Sequence, residues 1–365
     1  MSSAAKKTIL IAGASGLVGS AACRAFAEQG EYRIIACSRR KPHQLPNHIE
    51  FVALDLLDKQ ACKKAADVFK LVSHIAYCAI NETEGKLVDS WANTTHATRN
   101  ASMLENLVDP LLTATTKLEQ VTIVHGTKAY GVMLDKHLAV PLKESLPRPE
   151  HENFYFNQED YIQAKLKDTP ISWTIFRAQI IAGGGAQSNL NSLLAMAVYA
   201  ALCKAADNPC GFPGNSATGV IEMTDADLLA NALVWSCEAR TAQNQVFNIT
   251  NGDCFNWADM WPVVIDEVGA NIGSAQTKSI ESELSRYATL WANLVAQHKL
   301  NAPADWYAFL GESGALADFA LNANRNVITS TIKLRQAGFS QCMDSEACLR
   351  KWIRRWRAQQ LLPPR

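Results

Sequence analysis

The sequence predicts an α/β protein built on a doubly wound parallel sheet, followed by a smaller and mostly helical region. Three observations indicate this fold. Short apolar segments alternate with helical patterns from residue 8 to about residue 176, as strands and crossover helices do in a parallel sheet. Gly13, Gly16 and Gly19 follow the first apolar segment and precede a helical one. After Arg177 helices dominate, and they are expected to form a substrate-binding cap on a Rossmann-type sheet.

Each predicted strand of the sheet is a short run rich in apolar and β-branched residues. The six strands in the first half of the chain are Ile9–Ala12, Arg33–Ser38, Glu50–Leu54, His74–Ala79, Gln120–His125 and Ser172–Arg177. The helical patterns between them are Leu17–Glu28, Lys59–Ala66, Ala92–Thr116 and Glu159–Lys167. Helical crossovers of this kind let consecutive strands run parallel.

The second half of the chain is predicted to be mainly helical. Its predicted elements are helices at Leu190–Lys204, Asp225–Glu238 (with Thr224 as N-cap) and Trp257–Val268, and a strand at Val246–Thr250. An amphipathic pattern over Leu349–Gln360 predicts a terminal helix that docks on the core and leaves a basic face in solvent. The cap helices are expected to line the substrate pocket, with Leu193, Tyr199 and the aromatic-rich C-terminal half as candidates. Burial in the core is the alternative for most of these aromatic residues.

The glycine turn after the first strand has the features of a diphosphate-binding site. Gly13 permits a tight turn, Gly16 lets backbone N–H groups approach phosphates, and Gly19 lets the helix pack on the strand. The helix N-terminus adds N–H donors and partial positive charge. The other residues of this turn that are predicted to contact the cofactor are Ser15, Leu17 and Val18. We therefore predict a nucleotide-binding domain over residues 1–185 and a mostly helical substrate-binding region over residues 186–365, interleaved with it.

The end of the second strand favours NADPH over NADH. An acidic residue there would accept from a ribose 2′-hydroxyl, but Ser38, Arg39 and Arg40 occupy this place, and arginine suits a 2′-phosphate. A solvated basic turn is the alternative interpretation. After the third strand, Asp55 is either a contact of the adenine or an ordinary turn residue. The remaining predicted cofactor contacts on these strand ends are Leu56 and Ala79.

Composition argues against several classes of function. Lys and Arg number 35, as do Asp and Glu, so no overall charge attracts nucleic acid or an anionic membrane. The ten cysteines form no C-x-x-C pair, and the eight histidines have no metal-binding spacing, so no metal site is predicted. The apolar run Leu193–Cys203 is too short to span a bilayer. Cysteines that are expected to be reduced, and an N-terminus without a signal-peptide pattern, predict a cytoplasmic protein.

Two tyrosine–lysine pairs compete for the reactive role. Tyr161 and Lys165 have the Y-x-x-x-K spacing of short-chain dehydrogenases, which places both side chains on one helix face, but near the end remote from the cofactor. Lys128 follows the fifth strand, where ligands gather in open α/β sheets, and Tyr155 precedes the next helix. A surface lysine and a packing aromatic are the structural alternatives for this second pair. The residues alone leave the choice open.

A resemblance to a known family bears on this choice. The segments HGTKAYG, NFYFNQED, LLAMAVYAALCK, CGFPGN, TDADLLANALVW and VFNITNGDCFNW resemble, in this order, plant progesterone 5β-reductases and iridoid synthases. These are atypical extended short-chain dehydrogenase/reductases, which reduce C=C bonds of enones and enals with NADPH. The resemblance implies that Lys128 and Tyr155 are the catalytic pair, and that Gln179 and Ile181 line the nicotinamide.

The sequence departs from the family pattern at several positions near this pair. Ala129 stands where the family has histidine, Phe156 where it has a second tyrosine, and Ala178 where it has proline. Glu159 occupies the place of the lysine in the usual Y-x-x-x-K motif. None of these changes removes a reactive group, although they affect the shape of the pocket and therefore the substrate. His125 is a further candidate to position a carbonyl, or a strand-end histidine bonded to backbone.

The resemblance implies an NADPH-dependent reductase of the C=C bond of small hydrophobic α,β-unsaturated carbonyl compounds. Hydride would add to the β-carbon, and Tyr155 and Lys128 would stabilise the enolate. Two alternatives remain: a carbonyl reductase or sugar-nucleotide epimerase of the extended short-chain type, for which Tyr161 and Lys165 would be the working pair, and an NADPH-sensing regulator without turnover. No nucleic acid or membrane partner is expected, and a homodimer is one expectation for the assembly.

Overall fold

Hydrophobic periodicity predicts the sheet well. The computed structural model describes residues 6–42, 45–83, 85, 87–91, 93–134, 136–185, 190–214 and 219–365. Its strands are β1 Lys7–Ala12, β2 Tyr32–Ser38, β3 Glu50–Ala53, β4 His74–Tyr77, β5 Gln120–Gly126, β6 Ser172–Ala178, β7 Ile181–Ala182, β8 Val220–Ile221, β9 Thr224–Asp225, β10 Gln245–Ile249 and β11 Phe255–Asn256. Seven of them form one parallel sheet in the order β10-β6-β5-β4-β1-β2-β3. The predicted doubly wound parallel sheet is confirmed.

Helices cover both faces of this sheet and build the cap. They are α1 Leu17–Gln29, α2 Lys59–Ala65, α3 Leu87–Ser90, α4 Thr94–Ala114, α5 Phe154–Leu166, α6 Ser192–Ala205, α7 Ala226–Ser236, α8 Trp257–Val268, α9 Ile280–Arg286, α10 Ala288–His298, α11 Trp306–Leu310, α12 Ser313–Leu321, α13 Ile332–Gln336 and α14 Ser345–Ala358. Short 3₁₀ turns occur at Thr127–Tyr130 and Arg240–Ala242. None of the helices that the structure describes is long and apolar enough to cross a bilayer.

The two faces of the sheet have separate apolar cores because successive strand residues point in opposite directions. On β1, Ile9 and Ile11 pack with the helices α1 and α7. Leu10 and Ala12 pack with α2, α4 and α5 on the other face. A third core, formed mainly by α6, α8, α9, α12 and α14, underlies the cap. The mostly helical C-terminal region is therefore confirmed, while its division from the sheet at residue 185 stays a prediction, since residues 186–189 lie outside those described.

Several helix starts differ from the prediction, and capping explains three of them. Helix α5 begins at Phe154 rather than Glu159 because the side chain of Asn153 accepts a hydrogen bond from the Tyr155 N–H at 3.0 Å. Helix α7 is capped by Asp225, not Thr224, which belongs to β9. Helix α4 begins at Thr94 behind Asn93, and the predicted start at Ala92 lies outside the described residues.

Candidate active site

One large cleft of about 1190 Å³ runs along the carboxyl ends of the sheet strands and under the cap. It crosses the boundary between β1 and β4, where the strand order reverses and where ligands bind in open α/β sheets. All predicted cofactor and catalytic residues except Gly19 line it: Gly13, Ser15, Gly16, Leu17, Val18, Ser38, Arg39, Arg40, Asp55, Leu56, Ala79, Lys128, Tyr155, Gln179 and Ile181. The fold therefore brings residues from most of the chain into one site.

The glycine turn is too tightly packed for larger residues. Gly13 has a φ of +82°, and a Cβ there would stand 2.7 Å from the Cα of Ala79. A Cβ on Gly19 would stand 2.2 Å from the carbonyl oxygen of Gly13, so this glycine lets α1 pack against the turn without lining the cleft. Helix α1 begins behind Gly16, and no described side chain caps it. Its first turn is thus suited to an anionic ligand such as a diphosphate.

The end of β2 adds two positive charges to the same cleft. Arg39 and Arg40 are both exposed, and neither forms an ion pair with any residue that the structure describes. The hydroxyl of Ser38 donates to the carbonyl oxygen of Arg40 at 2.6 Å and so shapes this turn. Asp55 accepts from the N–H of Leu57 at 3.0 Å, which makes it a turn residue as well as a cleft residue. Its predicted contact with adenine stays a prediction.

Gln179, which follows β6, supplies a further polar group to the cleft. The residue is buried, and its Oε1 atom has no hydrogen-bond partner in the described structure. Its backbone is held in place because Thr224 Oγ1 accepts from the Gln179 N–H at 3.2 Å and donates to its carbonyl oxygen at 2.9 Å. An orphaned buried acceptor that lines the cleft fits a ligand with an amide donor, such as the carboxamide of nicotinamide.

Tyr155 lies in the first turn of α5, with only 7% of its surface exposed. Its hydroxyl lies against the backbone of Gly126, where an added Cβ would stand 3.2 Å from it. Its ring stacks on His125 with 4.3 Å between the ring centroids. Burial, and next the charge of Glu82, raise the pKa of Tyr155 well above its usual value. The group therefore acts as a phenol that keeps its proton.

Lys128 lies beside Tyr155 in the 3₁₀ turn that follows β5. Its Nζ atom lies 4.5 Å from the centroid of Trp91, 5.1 Å from that of Phe154 and 5.3 Å from that of Tyr155. The carboxylate atom Oε1 of Glu82 is 3.7 Å away. Burial lowers the pKa of Lys128, and Glu82 opposes this effect. The ammonium group is thus surrounded by three aromatic rings and one carboxylate.

Behind the pair lie a neutral histidine, His125, and Glu159, a departure from the family pattern that is paired with two arginines. Burial, and next the charge of Arg177, lower the pKa of His125 to about 3, so its ring is neutral. Its Nε2 atom lies 3.1 Å from Oε1 of Gln158, a side chain rather than backbone. Glu159 forms ion pairs with Arg177 at 3.1 Å and with Arg148 at 3.4 Å. These groups support the wall of the cleft.

The competing pair lies elsewhere. The hydroxyl of Tyr161 donates to Asp109 at 2.9 Å, and Nζ of Lys165 lies 2.6 Å from the same carboxylate. Neither Tyr161 nor Lys165 is among the residues that line the cleft. Both side chains reach from α5 to α4, so the Y-x-x-x-K spacing is here a helix–helix contact.

Sequence reasoning missed the groups around Lys128 and most of the substrate side. Glu82, Trp91 and His96 come from the loop after β4 and from α4, and no motif marks them. The candidates Leu193 and Tyr199 are wrong, since both are buried in the cap core. The cap and its loops instead contribute Leu190, Ser192, Ile221, Tyr307, Glu312, Leu316, Phe319 and Val327. The described residues contain no cluster of His, Cys, Asp or Glu that would hold a metal ion.

The family follows from a sequence match. Residues 53–301 match the model of the PRISE-like Rossmann-fold domain, which is more than half of the chain. The chain belongs to this family. The resemblance drawn from the motifs is thereby confirmed. An (S)-8-oxocitronellyl enol synthase of Camptotheca acuminata is 26% identical over 97% of this chain and 93% of its own length. A 3-oxo-Δ(4,5)-steroid 5β-reductase of Arabidopsis thaliana is also 26% identical, over 97% of this chain and 92% of its own length.

Solved structures agree on the fold of this PRISE-like chain. A UDP-glucose 4-epimerase of Thermotoga maritima superposes with a TM-score of 0.68 at 14% identity, covering 96% of this chain and 99% of the epimerase. The corresponding enzyme of Thermus thermophilus, solved with NAD, gives 0.68 at 15% identity, covering 96% and 99%. At this identity the likeness shows the fold alone. The family places the protein among oxidoreductases of the short-chain dehydrogenase/reductase superfamily, with a Rossmann domain for a nicotinamide cofactor.

Proposed function

We propose that the protein is an NADPH-dependent reductase of the C=C bond of α,β-unsaturated carbonyl compounds. One observation carries this proposal: Tyr155 and Lys128 line the same cleft as the glycine turn, whereas Tyr161 and Lys165 are bound to Asp109 outside it. The named activities of the relatives, a steroid 5β-reductase and an enol synthase, agree with chemistry on an enone or enal.

In this mechanism Tyr155 binds the carbonyl oxygen of the substrate. When bound, the nicotinamide supplies the hydride, which adds to the β-carbon. Negative charge then moves to the carbonyl oxygen as an enolate forms, and the enolate takes a proton from water at its α-carbon to give the saturated carbonyl compound. Because its raised pKa keeps the phenol protonated, Tyr155 donates a hydrogen bond that strengthens as this charge develops. Lys128, whose Nζ lies 5.3 Å from the Tyr155 ring centroid, adds a positive charge from a side chain that is only 12% exposed.

The residues of the nucleotide side fit NADPH. The glycine turn and the start of α1 would hold the diphosphate, and Gln179 would accept from the carboxamide. Arg39 and Arg40 line the cleft, are exposed, and have no ion-pair partner among the described residues, so both are available to a 2′-phosphate. Asp55, the acidic residue at the neighbouring strand end, already accepts from the Leu57 N–H. NADPH is therefore favoured over NADH.

The substrate side of the cleft favours a small hydrophobic molecule. Trp91 and Phe154 flank Lys128, and the cap adds apolar side chains opposite them. Leu316 and Phe319 of α12 and Val327 beyond it are the main apolar residues from the cap. Burial of such surfaces by an apolar ligand contributes roughly 25 cal/mol per Å². A hydrophobic enone would thus be held with its single polar group towards Tyr155.

The test is a substrate panel with product identification. Purified protein is mixed with NADPH or NADH and with small enones, enals, progesterone and simple ketones, and products are identified by mass spectrometry. We expect a saturated ketone or aldehyde, formed faster with NADPH. Alcohol products would instead indicate carbonyl reduction. NADPH binding without consumption of any acceptor would favour the regulator.

A further inference from the structure

Glu82 lies in the candidate active site but has no part in the mechanism proposed above. It belongs to the loop after β4, and its side chain is only 10% exposed. Its two carboxylate oxygens contact different residues. Oε1 lies 3.7 Å from Nζ of Lys128, and Oε2 lies 2.9 Å from Nε2 of His96. Burying a carboxylate is costly, so such a residue needs partners that stabilise its charge.

His96 holds this carboxylate from behind. It lies on α4, is almost fully buried, and packs edge-on against Phe154 with 5.4 Å between the ring centroids. An ionised carboxylate only accepts hydrogen bonds, so Nε2 of His96 carries the proton in this contact. The hydrogen bond fixes one oxygen of Glu82 and leaves the other directed at Lys128.

The remaining surroundings of Lys128 supply no negative charge. Within 4 Å of its Nζ atom, Glu82 is the only carboxylate among the residues that the structure describes. The other groups near the ammonium are the rings of Trp91, Phe154 and Tyr155. Contacts with aromatic faces stabilise a cation by only about 0.5–2 kcal/mol. Without Glu82, burial would favour the neutral amine.

We propose that Glu82, held by His96, is a positioning residue that keeps Lys128 protonated beside Tyr155. The proposal rests on the proposed function, since it concerns the same catalytic pair. The other titratable groups around Lys128 are Tyr155 of α5, which keeps its proton, His125 of β5, which is neutral, and His151, which contacts the backbone of Lys128. None of them replaces the negative charge of Glu82.

The first test is the pH profile of kcat/KM for Glu82→Gln, which keeps the shape of the side chain and removes its charge. An opposite charge at this distance typically moves a pKa by about one to three units. We therefore expect kcat/KM to fall roughly tenfold or more at pH 9 and less than about threefold at pH 6. The alkaline limb of the pH profile should accordingly move to lower pH. Glu82→Asp should restore part of the alkaline activity. A fall in kcat/KM by the same factor at every pH would mean that Glu82 has only a structural role.

Glu159→Gln is the matched control. Glu159 is also a buried carboxylate near the site, but it is paired with Arg177 and Arg148 and does not line the cleft. We expect its alkaline limb to coincide with that of the wild type. An equal movement of the limb in Glu159→Gln would overturn the proposal, because any lost carboxylate would then have the same effect.

A second readout needs no substrate and separates this proposal from the proposed function. A lysine reacts with acetic anhydride only as the neutral amine, and the rate at Lys128 can be followed by mass spectrometry of its peptide. At pH 8 we expect Glu82→Gln to raise this rate about tenfold, and Glu159→Gln to leave it unchanged. This result would stand even if the wild type reduced no enone. Equal acetylation rates in Glu82→Gln and the wild type would contradict the role of Glu82.

Discussion

At the scale of single residues, the reactivity of the cleft depends on where protons reside. Burial raises the pKa of Tyr155 and lowers that of Lys128, so each neutral form is favoured by desolvation. For a hydrogen-bond donor this is an advantage, because a protonated phenol is what an enolate oxygen requires. For a cationic group it is a disadvantage, which the neighbouring carboxylate of Glu82 opposes without cancelling it.

Tyr155→Phe should therefore abolish most turnover while sparing cofactor binding. The substitution removes only the hydroxyl, and loss of one donor to a developing oxyanion usually costs roughly 100- to 1,000-fold in kcat. Enone reduction and an NADPH fluorescence titration measure the two effects. The control is Tyr161→Phe, whose hydroxyl contacts Asp109 outside the cleft, and which should keep near wild-type turnover. A Tyr155→Phe variant with near wild-type rates would refute the catalytic assignment.

The double variant Arg39→Ala/Arg40→Ala should lose its preference for NADPH. Hydrogen bonds to charged groups contribute about 1.5–3 kcal/mol, which corresponds to a KM for NADPH raised roughly 10- to 100-fold. The KM for NADH should change little, and steady-state kinetics with both cofactors measure the ratio. Arg33→Ala is the control, because Arg33 lies on β2, just before these two arginines, but pairs with Glu50 at the surface. An equal rise in KM for NADH and for NADPH would show that these arginines do not contact a 2′-phosphate.

At the scale of elements, the turn between β1 and α1 depends on the absence of side chains at two points. Gly13 has a positive φ and lies against Ala79, and Gly19 lies against the carbonyl group of Gly13. Both close contacts are with backbone, which cannot move aside as a flexible side chain can. The position of α1 relative to the sheet is therefore set by these contacts.

Gly19→Ala should move α1 away from the turn and weaken both stability and cofactor binding. Overpacking of this kind costs about 1–3 kcal/mol in the free energy of unfolding, and the phosphate-binding N–H groups move with the helix. Gly30→Ala is the control, since Gly30 has a φ of +74° but no atom within 4 Å of an added Cβ. The alanine should cost about 1–2 kcal/mol, because an L-residue is strained at this φ, and should leave NADPH binding intact. Thermal unfolding and NADPH titration compare the two variants, and unchanged NADPH affinity in Gly19→Ala would contradict this account.

The elements differ in how far the sequence predicts them. Strands such as Tyr32–Ser38 and Ser172–Ala178 were predicted to within one residue at each end, because a buried strand is marked by its own apolar residues. The start of α5 was not predicted correctly because it is set by one capping side chain, that of Asn153, which stands before a run of aromatic residues. Glu82 and His96 are brought together because a loop packs on α4. The periodicity of apolar residues within either segment therefore does not predict their contact.

At the scale of the whole molecule, α14 joins the cap to β9 and to the segment that follows β7. Its Trp352 donates to Asp225 at 2.8 Å, and Trp356 donates to the carbonyl oxygen of Gly184 at 3.0 Å. A Cβ on Gly183 would stand 3.4 Å from the Trp352 ring and 3.2 Å from Leu17 of the glycine turn.

The predicted solvated basic face of α14 needs correction, because most of its charges are paired. Lys351 and Arg355 contact Asp227 of α7, while Arg350 and Arg354 contact Glu267 of α8.

A homodimer of this molecule stays a prediction, which light scattering can test.

Asp227→Asn should make the protein less stable near neutral pH but less sensitive to acid. Burial opposes ionisation of Asp227, but the charges of Lys351 and Arg355 outweigh it, so its folded pKa lies below the ordinary 3.8. A lowered carboxylate pKa stabilises the fold above pH 3.8, and this contribution is lost as the pH falls through the folded value. Thermal melts from pH 7 to about pH 2 should show a smaller decline of Tm below pH 3.8 in the variant than in the wild type. Asp266→Asn, at an exposed ion pair with Arg350, should change the profile little.

The anchoring of α14 also affects the order of events during synthesis. The glycine turn, β4, Lys128 and Tyr155 are synthesised early. Trp352 and Trp356, which contact Gly183, Gly184 and Asp225, belong to α14 and are synthesised much later. Domains generally fold as units during synthesis. Because α14 completes the packing of this unit, the cleft stays unfinished until residues 345–358 have emerged, and a chaperone would have its greatest effect in that interval.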